Sequence, residues 1–149
     1  MAGFPEKILV ATDGANDSEL AIRRAAELAD TTNAELHMVY VMIMSQWMMP
    51  DDLSDNQYNR LKERAQGVLD EDTEKLNRAG QTVAQSHLKV GRRADEEVIE
   101  LAEQLDADMI VVGSRGAGTL RRALMGSDAE SIVRHASMPV LVVRSEKNS

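Results

Sequence analysis

The chain has 149 residues, 43% of them hydrophobic and 28% charged, which predicts one globular domain over residues 1–149. The absence of cysteine excludes disulfides, thiolate catalysis and cysteine zinc sites, and a formal net charge of -8 argues against the basic surface that DNA or RNA binding requires. Neither a signal peptide nor an apolar run of about 18 residues is evident, so we expect a cytoplasmic protein without membrane insertion.

Strand and helix patterns alternate along the whole chain. In chain order the predicted elements are a strand at 7–12, a helix from 16–18 to 29, a strand at 34–41, a helix at 57–79, a strand at 83–90, a helix at 94–105, a strand at 108–113, a helix at 127–136 and a strand at 139–144.

Capping residues mark several of the helix boundaries. Asn16, Asp17 or Ser18 is expected to cap the first helix, and Ser127 the last. Gly80 stands where a glycine would end the second helix.

The segment Met42–Asn56 has no regular pattern. Its methionine-rich part, Met42–Met49, can cover one end of a ligand cleft, join a subunit interface or pack locally.

Strict alternation of strands and helices predicts an α/β fold. It is a single doubly wound, five-stranded parallel sheet with helices on both faces, a Rossmann-like arrangement. Three strands are apolar and belong in the centre, whereas the third alternates and belongs at an edge. The strand order 3-2-1-4-5 satisfies this pattern.

The strand order places a topological switch point between the first and fourth strands. Ligands of such sheets bind at the carboxyl ends of the strands that flank the switch. Here those ends are Ala11-Thr12-Asp13-Gly14 and Gly113-Ser114-Arg115-Gly116. Both are expected to be binding loops.

The fifth strand is predicted to form the opposite edge of the sheet, although Val140–Val143 is wholly apolar. Proteins usually cover such an edge. We therefore expect a homodimer that pairs through this strand, with larger assemblies left open.

A glycine pattern begins at the predicted switch point. Gly113, Gly116 and Gly126-Ser127 follow the spacing G-x2-G-x9-G-[ST]. Glycine lets backbone amides approach phosphate oxygens, and the start of the following helix adds free N–H groups and partial positive charge. Arg115, Arg121 and Arg122 are further candidates for phosphate contacts.

With these residues in view, the chain resembles the ATP-binding branch of the universal stress protein family. The strongest parts of the resemblance are residues 8–14, 91–116, 126–136 and 139–144. The resemblance implies the 3-2-1-4-5 sheet, ATP at the switch point, dimerisation through the last strand, and a role in stress survival or in regulating other proteins.

The resemblance also assigns roles to individual positions. Gly113, Gly116, Gly126 and Ser127 match the phosphate and ribose loop, Asp13 matches the acidic residue near the ribose and metal, and the backbone of Val41 matches the position that reads the adenine edge. Ala11, Thr12, Arg115, Asp128 and Ala129 are the further residues that we expect in the binding site.

Two positions depart from the family pattern. Ala15 lacks the hydroxyl that usually follows the first glycine, and Asp128 replaces an apolar residue beside the expected phosphates. A carboxylate there would repel ATP unless it points away or binds Mg²⁺, or it favours the helix dipole alone.

Three functions fit this sequence. The first is a regulator whose binding of ATP, AMP or ADP with Mg²⁺ controls contact with an unidentified partner protein. The others are a slow ATPase or phosphotransferase, and a scaffold or chaperone with a vestigial cleft. No catalytic residue is predicted, because His37, His87 and His135 are scattered and the acidic run Asp70-Glu71-Asp72 fits solvated positions.

Overall fold

The computed structural model describes residues 3–13, 16–44, 54–114 and 126–144, and within them strands and helices alternate as the sequence predicts. The strands are β1 Lys7–Thr12, β2 Glu35–Ile43, β3 Gln85–Gly91, β4 Met109–Gly113 and β5 Val140–Val143, and the helices are α1 Asn16–Thr32, α2 Asp55–Arg78, α3 Ala94–Leu105 and α4 Ser127–His135.

The five strands form one parallel sheet in the order β3-β2-β1-β4-β5, which confirms the predicted fold and strand order. In the centre, Leu9 of β1 lies opposite His37 of β2 on one side and Ile110 of β4 on the other. The order reverses between β1 and β4, so the carboxyl ends of these two strands diverge into different crossovers and leave a crevice.

Side chains alternate between the two faces of the sheet and build two core layers. Ile8 and Val10 pack in one layer with buried residues of α1 and α2. Leu9 and Val39 pack in the other with buried residues of α3 and α4. All four side chains are fully buried, as expected for a parallel sheet that is covered on both faces.

Several boundaries differ from the predictions for local reasons. β2 runs on to Ile43 because Met42 is buried beneath α2. α2 begins at Asp55 rather than residue 57, because Ser54 and Gln57 form a reciprocal capping box. β4 begins at Met109 rather than residue 108. Asp108 precedes the strand, and its carboxylate accepts hydrogen bonds from the Glu6 and Lys7 amides.

The predicted helix caps are wrong at α1 and α4. α1 already includes Asn16, Asp17 and Ser18, so none of them is its N-cap. In α4 the N-cap is Gly126, and Ser127 is the first helical residue. The capping prediction at Gly80 holds, because this residue follows α2 with a left-handed φ of 81°.

The third strand lies at an edge of the sheet, as predicted. Its two faces are less different than the alternating sequence suggests, because every residue after Gln85 is partly buried. No helix among the described residues is long and apolar enough to cross a lipid bilayer.

Candidate functional site

A cleft of about 80 Å³ opens at the carboxyl ends of β1, β2 and β4. Because strands of a parallel sheet all end on the same side, residues far apart in sequence meet there. The lining residues are Ala11, Thr12, Asp13, Ser18, Val39, Val41, Ala94, Val98, Val112, Gly113, Asp128, Ala129 and Ile132.

The cleft brings together most of the residues that the sequence predicts for a binding site. These residues are Ala11, Thr12, Asp13, Val41, Gly113, Asp128 and Ala129. Gly126 and Ser127 lie beside the cleft at the start of α4. Arg115 and Gly116 lie outside the described residues, as do Arg121 and Arg122.

The ends of the glycine-rich stretch are held close to each other. The Gly126 amide donates a hydrogen bond of 2.5 Å to the Ser114 carbonyl, and the Ser114 amide donates one of 2.8 Å to the Val143 carbonyl. These bonds fix the start of α4 against the end of β4. The first turn of α4, where the helix dipole places partial positive charge, therefore borders the cleft through Asp128 and Ala129.

A second hollow of about 300 Å³ adjoins the cleft and shares Ala94 and Asp128 with it. Arg92, Arg93 and Ser127 also line this hollow. The cleft alone is smaller than the roughly 300–1,000 Å³ of typical ligand pockets, so a ligand that fills it would extend into the hollow.

Asp95 ties the two helices of this face together. Its buried carboxylate accepts hydrogen bonds from the Arg93 guanidinium at 2.8 and 3.1 Å and from the Ser131 hydroxyl at 2.5 Å. Burial by itself would raise the pKa of Asp95, but the bonds from Ser131 and Arg93 outweigh it and hold the pKa below its usual value. The residue is thus a fixed negative charge beneath the hollow.

The negative charge of Asp128 is less well compensated than that of Asp95. Partial burial raises its pKa, and the negative charges of Asp95 and Asp13 raise it further, while Arg93 acts in the opposite direction. Asp128 lines both the cleft and the hollow, and its carboxylate is close enough to Asp13 and Asp95 for their charges to raise its pKa.

No three His, Asp or Glu side chains within the described ranges converge closely enough to hold a metal ion. Within those ranges the predicted metal ligand, Asp13, is therefore not part of a group of three such side chains. A magnesium ion carried by phosphate needs only one or two carboxylates, so Asp13 remains a candidate ligand.

Sequence reasoning missed several residues of the site. Ala94 and Ser18 line the cleft, although the sequence marks them only as helix positions. Asp72 was expected to be solvated, which is wrong: it is half-buried and bonded to Thr12. A local pattern cannot show which distant strand a helix carboxylate will meet.

The structure also shows the contacts of two methionines from the irregular segment and of two of the scattered histidines. Met42 and Met44 are buried and pack against Ala65 of α2, which is local packing, whereas residues 45–49 lie outside the described part. His37 and His87, far apart in sequence, have ring nitrogens 3.0 Å apart on neighbouring strands.

Comparisons with known proteins agree with this architecture. The model of the universal stress protein family matches residues 5–144. A universal stress protein of Staphylococcus aureus (strain USA300) is 34% identical over 143 residues, which cover 95% of this chain and 86% of that protein.

Solved structures of the family are similar as well. A universal stress family protein from Burkholderia pseudomallei is 29% identical with a TM-score of 0.72, covering 94% of this chain and 96% of that one. A universal stress protein in complex with cAMP is 27% identical with a TM-score of 0.69, covering 95% and 98%. This chain therefore belongs to the universal stress protein family.

Proposed function

We propose that the chain is an adenine-nucleotide-binding regulator, in which ATP, AMP or ADP in the cleft switches the binding of a partner protein. The observation that carries the proposal is the convergence of three strand ends and the amino end of α4 around one cleft. Such a crevice is where parallel sheets bind nucleotides, and free amides at a helix start suit phosphate. The similar protein in complex with cAMP supports an adenine nucleotide as the ligand class.

The lining residues suggest how the ligand lies. Apolar Val41 and Ala11 suit the adenine base, and Asp13 at the end of β1 suits the ribose hydroxyls. The phosphates would then lie along the start of α4, at Gly126 and Ser127. Arg115 and Gly116 belong to the same proposal on their sequence pattern alone.

Magnesium is part of the proposal for the polyphosphate forms. Asp13 would share the ion with phosphate oxygens, which suits a cation that keeps few protein ligands. The ion would also offset the negative charge of Asp128.

We also propose that the protein acts in the cytoplasm as a homodimer paired through β5. Binding of a nucleotide would change the surface around the cleft that a partner protein meets. A ligand shifts such an equilibrium only by its difference in affinity for the two states.

The test of this proposal is a substitution that fills the cleft with a larger side chain. Ala11 is a partly buried lining residue, and Ala11→Phe should lower the affinity for nucleotide by at least about tenfold, or ~1.4 kcal/mol, because the ring occupies the space for the base. Calorimetric titration with ATP, ADP, AMP and cAMP, with and without Mg²⁺, measures the effect.

The matched control is Ala34→Phe. Ala34 is also partly buried, but it precedes β2 at the other end of the sheet, so affinity should stay within about twofold of the parent protein. Nucleotide extracted from the purified protein identifies the natural ligand. If the parent protein binds none of the nucleotides, the proposal is wrong, and a scaffold with a vestigial cleft is left. Mg²⁺-dependent turnover that Ala11→Phe abolishes would instead favour a slow ATPase.

A further inference from the structure

A hydrogen bond joins the end of β1 to the C-terminal half of α2, sixty residues further along the chain. The Thr12 hydroxyl donates to the Asp72 carboxylate at 2.8 Å. Thr12 has the same alternation phase as Ile8 and Val10, so its side chain lies on the face of the sheet that α1 and α2 cover. The residue thus lines the cleft while its hydroxyl reaches α2.

Ser18 of α1 adds a second link to the same point. Its hydroxyl oxygen accepts the backbone amide of Asp13 at 3.3 Å and lies 3.4 Å from the Thr12 hydroxyl. Thr12 and Ser18 are both buried, at 5% and 4% exposure. Two hydroxyls and the Asp72 carboxylate therefore form a polar chain beneath the main chain of Asp13.

Partial burial disfavours the charged form of the carboxylate at Asp72. Burial raises the pKa of Asp72, and the bond from Thr12 only partly opposes that effect. Its charged surroundings are Glu71 and Lys75 on α2 and Glu19 on α1, and Lys75 is the one that favours its charge. An apolar residue would pack here but could not accept the Thr12 hydroxyl, so the feature specific to the carboxylate is its hydrogen bond to β1.

α2 also contacts the second strand end at the cleft. Met42 and Met44, which follow Val41, are buried against Ala65, with Tyr58 and Leu61 packed around them. One helix is therefore attached to β1 through a hydrogen bond and to β2 through apolar packing. A change at either strand end reaches α2 directly.

We propose that Asp72 is a positioning residue that fixes the Thr12–Asp13 segment for the ligand and couples occupancy of the cleft to helix α2. This inference rests on the proposed nucleotide function of the same cleft. It assigns α2 as the element whose stability responds when a nucleotide binds.

The test measures amide hydrogen exchange in residues 65–76 of α2 with and without saturating Mg²⁺–ATP, together with ATP affinity. In the parent protein, ATP should slow exchange across this part of α2. Thr12→Val removes the hydroxyl at nearly constant shape, and Asp72→Leu removes the acceptor. Each should weaken ATP binding about tenfold, or ~1.4 kcal/mol, and abolish the ATP-dependent protection of α2.

Three further variants separate positioning from simple destabilisation. Thr12→Ser keeps the hydroxyl and should restore both readouts, and Asp72→Asn keeps a carbonyl acceptor and should retain most of both. Thr73→Val is the matched control, because the Thr73 hydroxyl is buried with no hydrogen-bond partner among the described residues. It should leave affinity and exchange unchanged.

The outcomes distinguish this inference from the proposed function. If the parent protein binds ATP but exchange in α2 does not respond, or if Thr12→Val and Asp72→Leu bind as tightly as the parent, the inference is overturned and the nucleotide function stands. If the parent protein binds no nucleotide at all, both fail together. Thermal unfolding shows which variants are folded, and Asp72→Asn supplies the test should Asp72→Leu not fold.

Discussion

Asp128 is the residue at which the charge of this site conflicts most directly with an anionic ligand. It lies in the first turn of α4, where a carboxylate favours the helix dipole, yet it also lines the cleft and the neighbouring hollow. Burial and the charges of Asp95 and Asp13 raise its pKa. A phosphate placed nearby would raise that pKa again, so the binding of nucleotide and of a proton should favour each other.

We predict that Asp128→Asn raises the affinity for ATP in the absence of Mg²⁺ by about three- to tenfold at pH 7, a Coulomb effect of roughly 0.7–1.4 kcal/mol. In the parent protein the same affinity should rise as the pH falls toward the raised pKa of Asp128, because protonation removes the repelling charge. The variant should lack this part of the pH dependence. Titration calorimetry between pH 7.5 and pH 5.5 measures both effects.

Glu130→Gln is the matched control for this prediction, since it removes the same charge from the same helix. Glu130 is exposed and paired with Arg134 at 3.0 Å, so ATP affinity should hardly change. Adenosine, which carries no phosphate, should bind the parent protein and Asp128→Asn alike. An equal gain for ATP and adenosine would contradict the electrostatic explanation.

Residues at the ends of strands were predictable, whereas partners supplied by helices were not. Asp13 and Gly113 stand out because each stands at the end of a strand, and parallel strand ends share one edge of the sheet. Val41 was predicted only from the resemblance to the family, and β2 continues past it to Ile43. Asp72 carries no such signal, because its helical position does not show that Thr12 will be within 2.8 Å. The roles of the predicted residues toward a ligand remain predictions.

At the scale of elements, the pairing of β2 with β3 carries a histidine pair. His37 and His87 are stacked with ring centroids 5.3 Å apart, and the other ring nitrogen of His37 lies 2.6 Å from the Glu35 carboxylate. The network is satisfied when neutral His37 donates to Glu35 and accepts from His87. When His37 is protonated, a proton on His87 would place two positive charges side by side, which is how His37 lowers the pKa of His87.

We predict that this pair makes the protein less stable as the pH falls. Burial lowers the pKa of His87, and His37 and Lys89 lower it further. As the pH falls below about 6.5, His87 therefore binds a proton more readily in the unfolded chain than in the folded chain. The free energy of unfolding then decreases by at most about 1.4 kcal/mol per pH unit. Urea unfolding at pH 7.5 and pH 5.5 measures the decrease.

His87→Phe keeps a ring against His37 without a proton to bind. Its unfolding free energy should fall less between the two pH values than that of the parent protein. The difference between the two proteins isolates the pair, because carboxylates with raised pKa values, such as Asp72 and Asp128, contribute to both. A parallel decrease in the two proteins would contradict the assignment to His87.

Element types followed from local patterns, while element ends depended on contacts. α3 was predicted with its observed bounds, Ala94–Leu105, because its apolar spacing and flanking residues agree. The start of α2 and the end of β2 were missed by two residues. In both cases the deciding feature was a side-chain bond or a buried methionine.

At the scale of the whole molecule, the two edges of the sheet differ in character. β3 is short of apolar residues on one face, whereas β5 consists of Val140, Leu141 and two further valines. Leu141 is 38% exposed, and no other described strand pairs with the outer side of β5. Such an edge offers free backbone groups and an apolar surface to a second copy of the chain.

The backbone bonds of β5 show which of its groups are free for such pairing. The Pro139 and Val143 carbonyls accept bonds from Ile110 and Ser114 on the β4 side. Because backbone groups alternate in direction along a strand, the amide and carbonyl of Val142 point away from β4. A substitution at Val142 can therefore disturb the outer edge while it leaves the inner pairing in place.

We predict that Val142→Pro converts a dimer into a folded monomer. Proline removes the outward amide that a partner strand would need, and an edge strand tolerates proline at such a position. Sedimentation at micromolar concentration should show the mass fall from two chains to one, while circular dichroism stays that of an α/β protein. Gln85→Pro makes the same change at the first residue of β3, on the opposite edge, and should leave the mass unchanged. A parent protein that sediments as one chain would refute pairing through β5, because a free apolar edge would then be stable in solution without a partner.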